Sequence, residues 1–180
     1  WAHSFRQKRF PRFLQILQSV SPPFKILDIG GTQEFWQMMG FSVPNLSEVH
    51  LLNIYPVEVS LPGFVSRVGD GRDLSYYADQ SFDIVFSNSV IEHVGSFAEQ
   101  RRMACEIERV GKRYFVQTPN KFFPIEPHYH LPFFQFLPLS IKSWLHERFA
   151  LGWAERADSP ETANIQARSV NLLSKKNSLD

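Results

Sequence analysis

The chain has 180 residues, of which 43% are hydrophobic and 21% charged, and a formal net charge of +1. That length suits one domain with a substantial core, and the near-neutral balance excludes a global field for nucleic acid. No run of about 18 apolar residues occurs, so no membrane span is expected.

Phe10, Phe13, Leu14, Leu17 and Val20 recur at helical spacing, and Ser21-Pro22-Pro23 closes that first helix. The basic residues Arg6, Lys8, Arg9 and Arg12 read as its solvated face. Lys25 to Ile29 is then a short apolar strand carrying Asp28, and it breaks into Gly30-Gly31-Thr32. A short helix is predicted over 35–39. Apolar runs at 49–54, 64–68, 82–86 and 113–117 supply four more strands, with an amphipathic helix over Phe97 to Val110 before the last. In that helix Met103, Ile107 and Val110 share a face, and Cys105 beside them reads as a buried structural thiol. As the single cysteine it permits no intrachain disulfide, which makes a reducing, cytoplasmic compartment the default.

After Gln117 the character changes. Thr118 to Leu139 holds Pro119, Pro124, Pro127, Pro132 and Pro138, a stiffened loop too long for a plain connection. A helix over 140–149 follows, and the last thirty residues read as polar and irregular. No sixth or seventh strand can be placed, and Leu172 to Lys175 looks like the start of a helix cut short. Together with an opening at Trp1 rather than Met, this reads as a piece of a longer chain.

Strands alternating with helices or long crossovers predict an α/β fold: a Rossmann-like, doubly wound, mainly parallel sheet with helices on both faces and its C-terminal strands missing. The expected organisation is one domain. It has an N-terminal helix over 1–24, a cofactor-binding core over 25–120, a substrate-side loop and helix over 121–150, and a polar tail over 151–180.

In such sheets ligands bind at the carboxyl ends of the strands, near the switch in strand order. The polar residues there are therefore the candidates. Asp28 with Gly30 and Gly31 ends the first strand, and the glycines permit close approach of a ligand to the backbone. Asn53 ends the second, where an acidic residue would grip a ribose diol; Asn accepts and donates but brings no charge. Asp70 and Gly71 follow the third. Asp70 can accept from an adenine amine, or it can cap a turn together with Asp73. Asn88 ends the fourth strand and leads to Glu92-His93, where His93 is either a base or a wall histidine. His128 and His130 beside Glu126 are further candidates. Their spacing also occurs in metal sites, but with no further ligand cluster no metal is assigned.

ILDIGGT, VGDGRDL, FDIVFSNSVIEHV and RYFVQTPN, in this order, resemble motifs of the class I S-adenosylmethionine-dependent methyltransferases, and among them the methyltransferase type 11 set. The likeness runs from about Lys25 to Asn120, and the Glu92-His93 pair after the fourth strand is its most specific part. The resemblance implies S-adenosylmethionine as cofactor. Asp28, Gly30, Gly31 and Thr32 would then stand at its methionine and ribose portion, Asn53 at the ribose hydroxyls, Asp70 and Gly71 at the adenine, and Asn88 near the sulfonium. His93 would face the substrate side; with His128 and His130, whose segment follows the fifth strand, it makes up the catalytic candidates. Two departures stand out: Thr32 where the family has a second Gly, and Asn53 where it has Asp or Glu.

The preferred reading is an enzyme that methylates a small-molecule acceptor. The run Phe133-Phe134-Gln135-Phe136 with Trp144 suggests an apolar or lipid-linked one, unless it is simply a core-packing arm. The departures motivate an alternative, a degenerate cofactor-binding or partner protein without catalysis. A nicotinamide oxidoreductase is disfavoured because Gly-x-Gly-x-x-Gly is absent. No basic groove points to nucleic acid as substrate.

Overall fold

A computed structural model describes residues 2–174, with side chains from Gln7 onward. The apolar runs form β1 (Lys25–Ile29), β2 (Glu48–Asn53), β3 (Phe64–Val68), β4 (Ile84–Asn88) and β5 (Tyr114–Gln117). They pair in parallel in the order β3-β2-β1-β4-β5. Strand addition therefore proceeds outward from β1 to β3 and then resumes on the other side of β1 with β4. That reversal creates a switch point between β1 and β4. The central strands are buried, as their unbroken apolar runs require, whereas Val68 on one edge strand and Tyr114 on the other are exposed.

The chain divides into two compact units, one comprising residues up to Ile91 together with Ala98–Gln117, the other comprising Glu92–Phe97 and the chain from Thr118. The first unit holds the sheet. On one face α1 (Ala2–Leu17) and α2 (Gln33–Met38) bring Phe10, Phe13 and Trp36 onto Ile26, Val49, Leu51, Ile84 and Phe86. The rings of Phe13, Trp36 and Phe86 meet with centroids 5.0–5.5 Å apart, within the range where aromatic pairs add to simple burial. Lys8, Arg9 and Arg12 are exposed, as a solvated helix face requires; the Arg6 side chain lies outside the described residues.

The helix α3 (Phe97–Val110) has the predicted bounds and buries Met103, Ile107 and Val110. Cys105 is exposed, which corrects the expectation of a buried thiol. Each helical residue turns by about 100°, so a side chain two positions after Met103 stands on nearly the opposite face.

The second unit contains a short antiparallel ribbon of β6 (Ile125–Glu126) and β7 (Leu131–Pro132), then α4 (Leu139–Arg148) and α5 (Pro160–Arg168). Helix α5 lies where an irregular tail was expected. Its signals are present in the sequence: Ser159 caps it by accepting from the Thr162 N–H at 3.1 Å, and Pro160 takes the first helical position. Leu172 to Ser174 are not helical either; Leu173 forms an isolated parallel bridge with Asn120, and Lys175 lies outside the described residues. Phe134 is buried with Tyr129 and Leu151, while Phe133, Phe136 and Trp144 are exposed, so the Phe-rich run divides between core and surface.

Candidate active site

In the first unit the strand ends converge on the glycine turn. Gly30 has φ +76°, a conformation side chains resist, and a Cβ on it would collide with Val90. A Cβ on Gly31 would overlap the carboxylate of Asp28. The end of β2 holds both halves of the turn: the Gly30 N–H donates to the Leu52 carbonyl at 2.8 Å, and the Asn53 amide donates to the Gly31 carbonyl at 2.9 Å. Asn53 thereby keeps its carbonyl oxygen as an acceptor. An aspartate could not make the bond to Gly31, because an ionised carboxylate has no proton to donate.

Asp28 is 1% exposed and lies beneath Gly31, with one carboxylate oxygen accepting from the Trp36 indole N–H at 2.7 Å. Burial pushes its pKa up to about 7, and the single bond from Trp36 only partly offsets this. Gln33, also buried, accepts from the backbone N–H of Ser60 at 2.9 Å and so ties α2 to the segment before β3. Neither Trp36 nor Gln33 stood out in the sequence, where both look like ordinary residues of a short helix.

Thr32 adopts φ −134° and ψ 154°, extended backbone open to any residue. Asp70 is engaged by Arg72 through a forked ion pair, with guanidinium nitrogens 2.6 and 3.0 Å from its oxygens, and it also accepts the Arg72 backbone N–H at 2.9 Å. Arg72 reaches Glu99 as well. The Arg72 contacts hold the Asp70 carboxyl below the usual range. Asp73 accepts from the Ser75 N–H at 3.2 Å, so the turn-capping reading applies to both acids. Gly71 is buried near Ile29 and Met103. Asn88 accepts from the Gln117 side chain at 2.9 Å across β4 and β5, and Ser89 after it takes φ +59°.

The second unit carries the histidines. His93 Nδ1 donates to the Ser169 carbonyl at 3.1 Å, and its ring stands edge-on to His128 with centroids 4.9 Å apart. His128 Nδ1 donates to Glu126 at 2.7 Å, while its Nε2 lies 3.8 Å from a carboxylate oxygen of Glu92. Glu92 is wholly buried and accepts from the Thr118 hydroxyl at 2.9 Å; burial raises its pKa. His130 is exposed at φ +56°, apart from this cluster. Sequence reading found His93 and His128 but gave no role to Glu92 and no hint that positions so far apart meet.

A parallel sheet with a glycine turn at its switch point defines this chain as carrying a Rossmann-like α/β domain. Residues 43–114 match the family described as "Methyltransferase domain", type 11. The matched stretch is similar to the class I S-adenosylmethionine-dependent methyltransferases of the type 11 family. Two curated relatives, the uncharacterised proteins Rv1509 and MT1557 of two Mycobacterium tuberculosis strains, are 36% identical over 59 residues. That alignment covers 33% of this chain and only 20% of each relative. Among solved structures, a cyclopropane-fatty-acyl-phospholipid synthase-like protein from Lactobacillus casei is 17% identical, with 92% of this chain and 67% of that one covered and a TM-score of 0.49. A SAM-dependent methyltransferase from Methanosarcina mazei is 19% identical, with 90% and 78% covered and a TM-score of 0.48. No helix among the described residues is long and apolar enough to cross a membrane.

Proposed function

We propose that this chain transfers a methyl group from S-adenosylmethionine to a small-molecule acceptor. The observation that carries the reading is the glycine turn at the β1/β4 switch. Gly30 requires its positive φ, Gly31 leaves no space for a Cβ above Asp28, and the end of β2 holds both. Such a cradle fits a ligand that lies against bare backbone. S-adenosylmethionine supplies an electrophilic methyl group when bound. Gly30, Gly31 and Thr32, over the buried Asp28, would take its methionine and ribose portion, and the Asn53 carbonyl oxygen a ribose hydroxyl. Asp70 and Gly71 would take the adenine, with Asp70 sharing its carboxylate between Arg72 and the amine. Asn88, oriented by Gln117, would stand near the sulfonium.

In-line methyl transfer depends mainly on alignment and exclusion of water, and a base is needed only if the acceptor must lose a proton. His93, His128 and His130 are the candidates. His93 and His128 suit the task best, because each has Nδ1 committed and Nε2 left as an acceptor. An apolar acceptor is favoured by aromatic rings left on the surface of the second unit. Phe122 lies near Phe136, and Trp144 near Phe149, with all four exposed.

Calorimetric titration with S-adenosylhomocysteine, in parallel with NADH, tests the cofactor class. Micromolar binding of the former alone is expected, and binding of neither, or of NADH, would overturn the reading. For the acceptor side, His128→Ala is expected to lower turnover more than cofactor affinity.

A further inference from the structure

We propose that Glu92, His93 and His128 form a binding site for one divalent first-row transition-metal ion. One ligand atom from each of the three lies within 4.8 Å of the others, the one such group found among the described residues. A tetrahedral ion with bonds of about 2.0–2.1 Å separates its ligand atoms by roughly 3.3 Å, so modest side-chain rotations complete the site.

The hydrogen bonds around the group prepare it for a cation. A backbone carbonyl and a carboxylate only accept, so the contacts to Ser169 and Glu126 place the proton on Nδ1 of both rings. In its neutral form each ring then keeps a lone pair on Nε2. Metal-binding histidines are oriented in this way, by a carbonyl or carboxylate on the far nitrogen. Glu126 is itself fixed, since its second oxygen accepts the backbone N–H groups of His128 and Tyr129, each at 2.8 Å.

Glu92 supplies an independent indication. It is 0% exposed, and Thr118 satisfies one carboxylate oxygen. The other, Oε1, has no hydrogen-bond partner among the described residues and lies 3.8 Å from His128 Nε2. A buried carboxylate oxygen with no donor is costly unless a positive charge stands beside it, and a cation shared with the neutral His128 ring supplies one. The Asn171 backbone N–H, donating to the Glu92 carbonyl at 2.7 Å, holds this residue's main chain in place.

Two imidazoles and one carboxylate suit zinc, iron(II) or cobalt(II) far better than the all-oxygen preference of magnesium or calcium. Three protein ligands leave coordination positions open for an oxygen or nitrogen donor of an acceptor. With a metal bound, neither ring serves as a base. A coordinated hydroxyl would lose its proton more readily because of the ion's charge. That last role rests on the methyl-transfer reading, whereas the site itself does not.

The test is Co2+ titration of the full chain after chelator treatment, followed by visible absorption and by metal analysis after gel filtration. One Co2+ per chain is expected, with d–d bands of a low-coordinate site and displacement by Zn2+ but not by Mg2+. His93→Ala, at an exposed position, should abolish the bands while leaving the far-UV circular dichroism unchanged. Glu126→Gln should weaken binding by about 10–100-fold, as loss of an orienting partner does. His130→Ala should bind as the wild type does. No cobalt uptake, or undiminished uptake by His93→Ala, would overturn the proposal; so would equal loss in His130→Ala, which would mark adventitious surface histidines. Failure of S-adenosylhomocysteine to bind would count against the cofactor reading and leave this result intact.

Discussion

Replacing Asp28 with Asn should make the protein's stability less sensitive to pH. The Asp28 carboxyl has a folded-state pKa of about 7, against 3.8 in the open chain. Below the lower value it is protonated in both states and nothing is lost. Between the two the unfolded chain has released its proton while the folded chain retains it, so the folded state binds more protons and stability falls as pH rises. Each unit costs about 1.4 kcal/mol. Above the folded pKa the penalty levels off at roughly 4 kcal/mol, and from pH 5 to pH 8 the wild type should lose about 2.5 kcal/mol through this group alone. The substituted amide would still accept from the Trp36 indole but would not titrate. Its buried N–H groups cost stability at every pH alike, so the pH-dependent difference isolates the carboxyl. Urea denaturation of both proteins at pH 5 and pH 8 measures it, because groups common to both, including the buried Glu92, cancel. The variant is expected to gain on the wild type as pH rises. Parallel curves, with the difference between the two proteins unchanged, would refute a buried, protonated Asp28.

Gly31→Ala should cost about 1–3 kcal/mol, through the clash with Asp28, and weaken S-adenosylhomocysteine binding in calorimetry. Asn53→Asp removes the donor to Gly31 and sets a carboxylate against that carbonyl; a loss of about 1–2 kcal/mol is expected in urea denaturation, despite the return to the family's usual residue type. His146 is wholly buried among Tyr129 and Phe134, with no hydrogen bond from the described residues to either ring nitrogen. Burial, then Lys142, lowers its pKa. The folded state therefore binds fewer protons than the unfolded chain once pH falls below the ordinary histidine value of about 6.5, and stability is lost in that direction. His146→Phe should reduce the acid sensitivity of thermal melting. Exposed Cys105 should react with iodoacetamide in the native protein with no shift in melting temperature, whereas protection until unfolding would restore the buried reading.

The sheet was legible because each strand is a short apolar run ended by a glycine or small polar residue, and a parallel strand buried on both faces needs little more. β3 was read with its observed bounds, as was α3, whose apolar spacing fixes a single face. Cys105 shows the limit of that inference: apolar neighbours in sequence do not bury a residue that the helix turns away. Helix α5 was missed although Ser159-Pro160-Glu161 announces it, because its buried side chains are Ala163 and Ala167, too small to draw a visible apolar stripe. The strand-end residues could be named from sequence, but their partners could not. Asp28 with Trp36, and Glu92 with His128, are meetings that tertiary structure alone creates.

The two departures from the family pattern look like defects in the sequence and have physical counterparts in the fold. A glycine is obligatory only where φ is positive or a Cβ has no space, and both conditions are met before position 32 is reached. At position 32 the backbone is extended, where a β-branched residue is at ease, so Thr32 costs the turn nothing. Asn53 exchanges a charge for a donor. The lost charge weakens any grip on a ribose diol, while the gained amide fastens the Gly31 carbonyl to the sheet. A turn held through Leu52, Asn53 and the indole-bonded Asp28 is preorganised, so less free energy is spent ordering it when a ligand arrives. Weaker direct contact and stronger support act in opposite directions on affinity. For that reason Thr32 and Asn53 do not argue for a degenerate site.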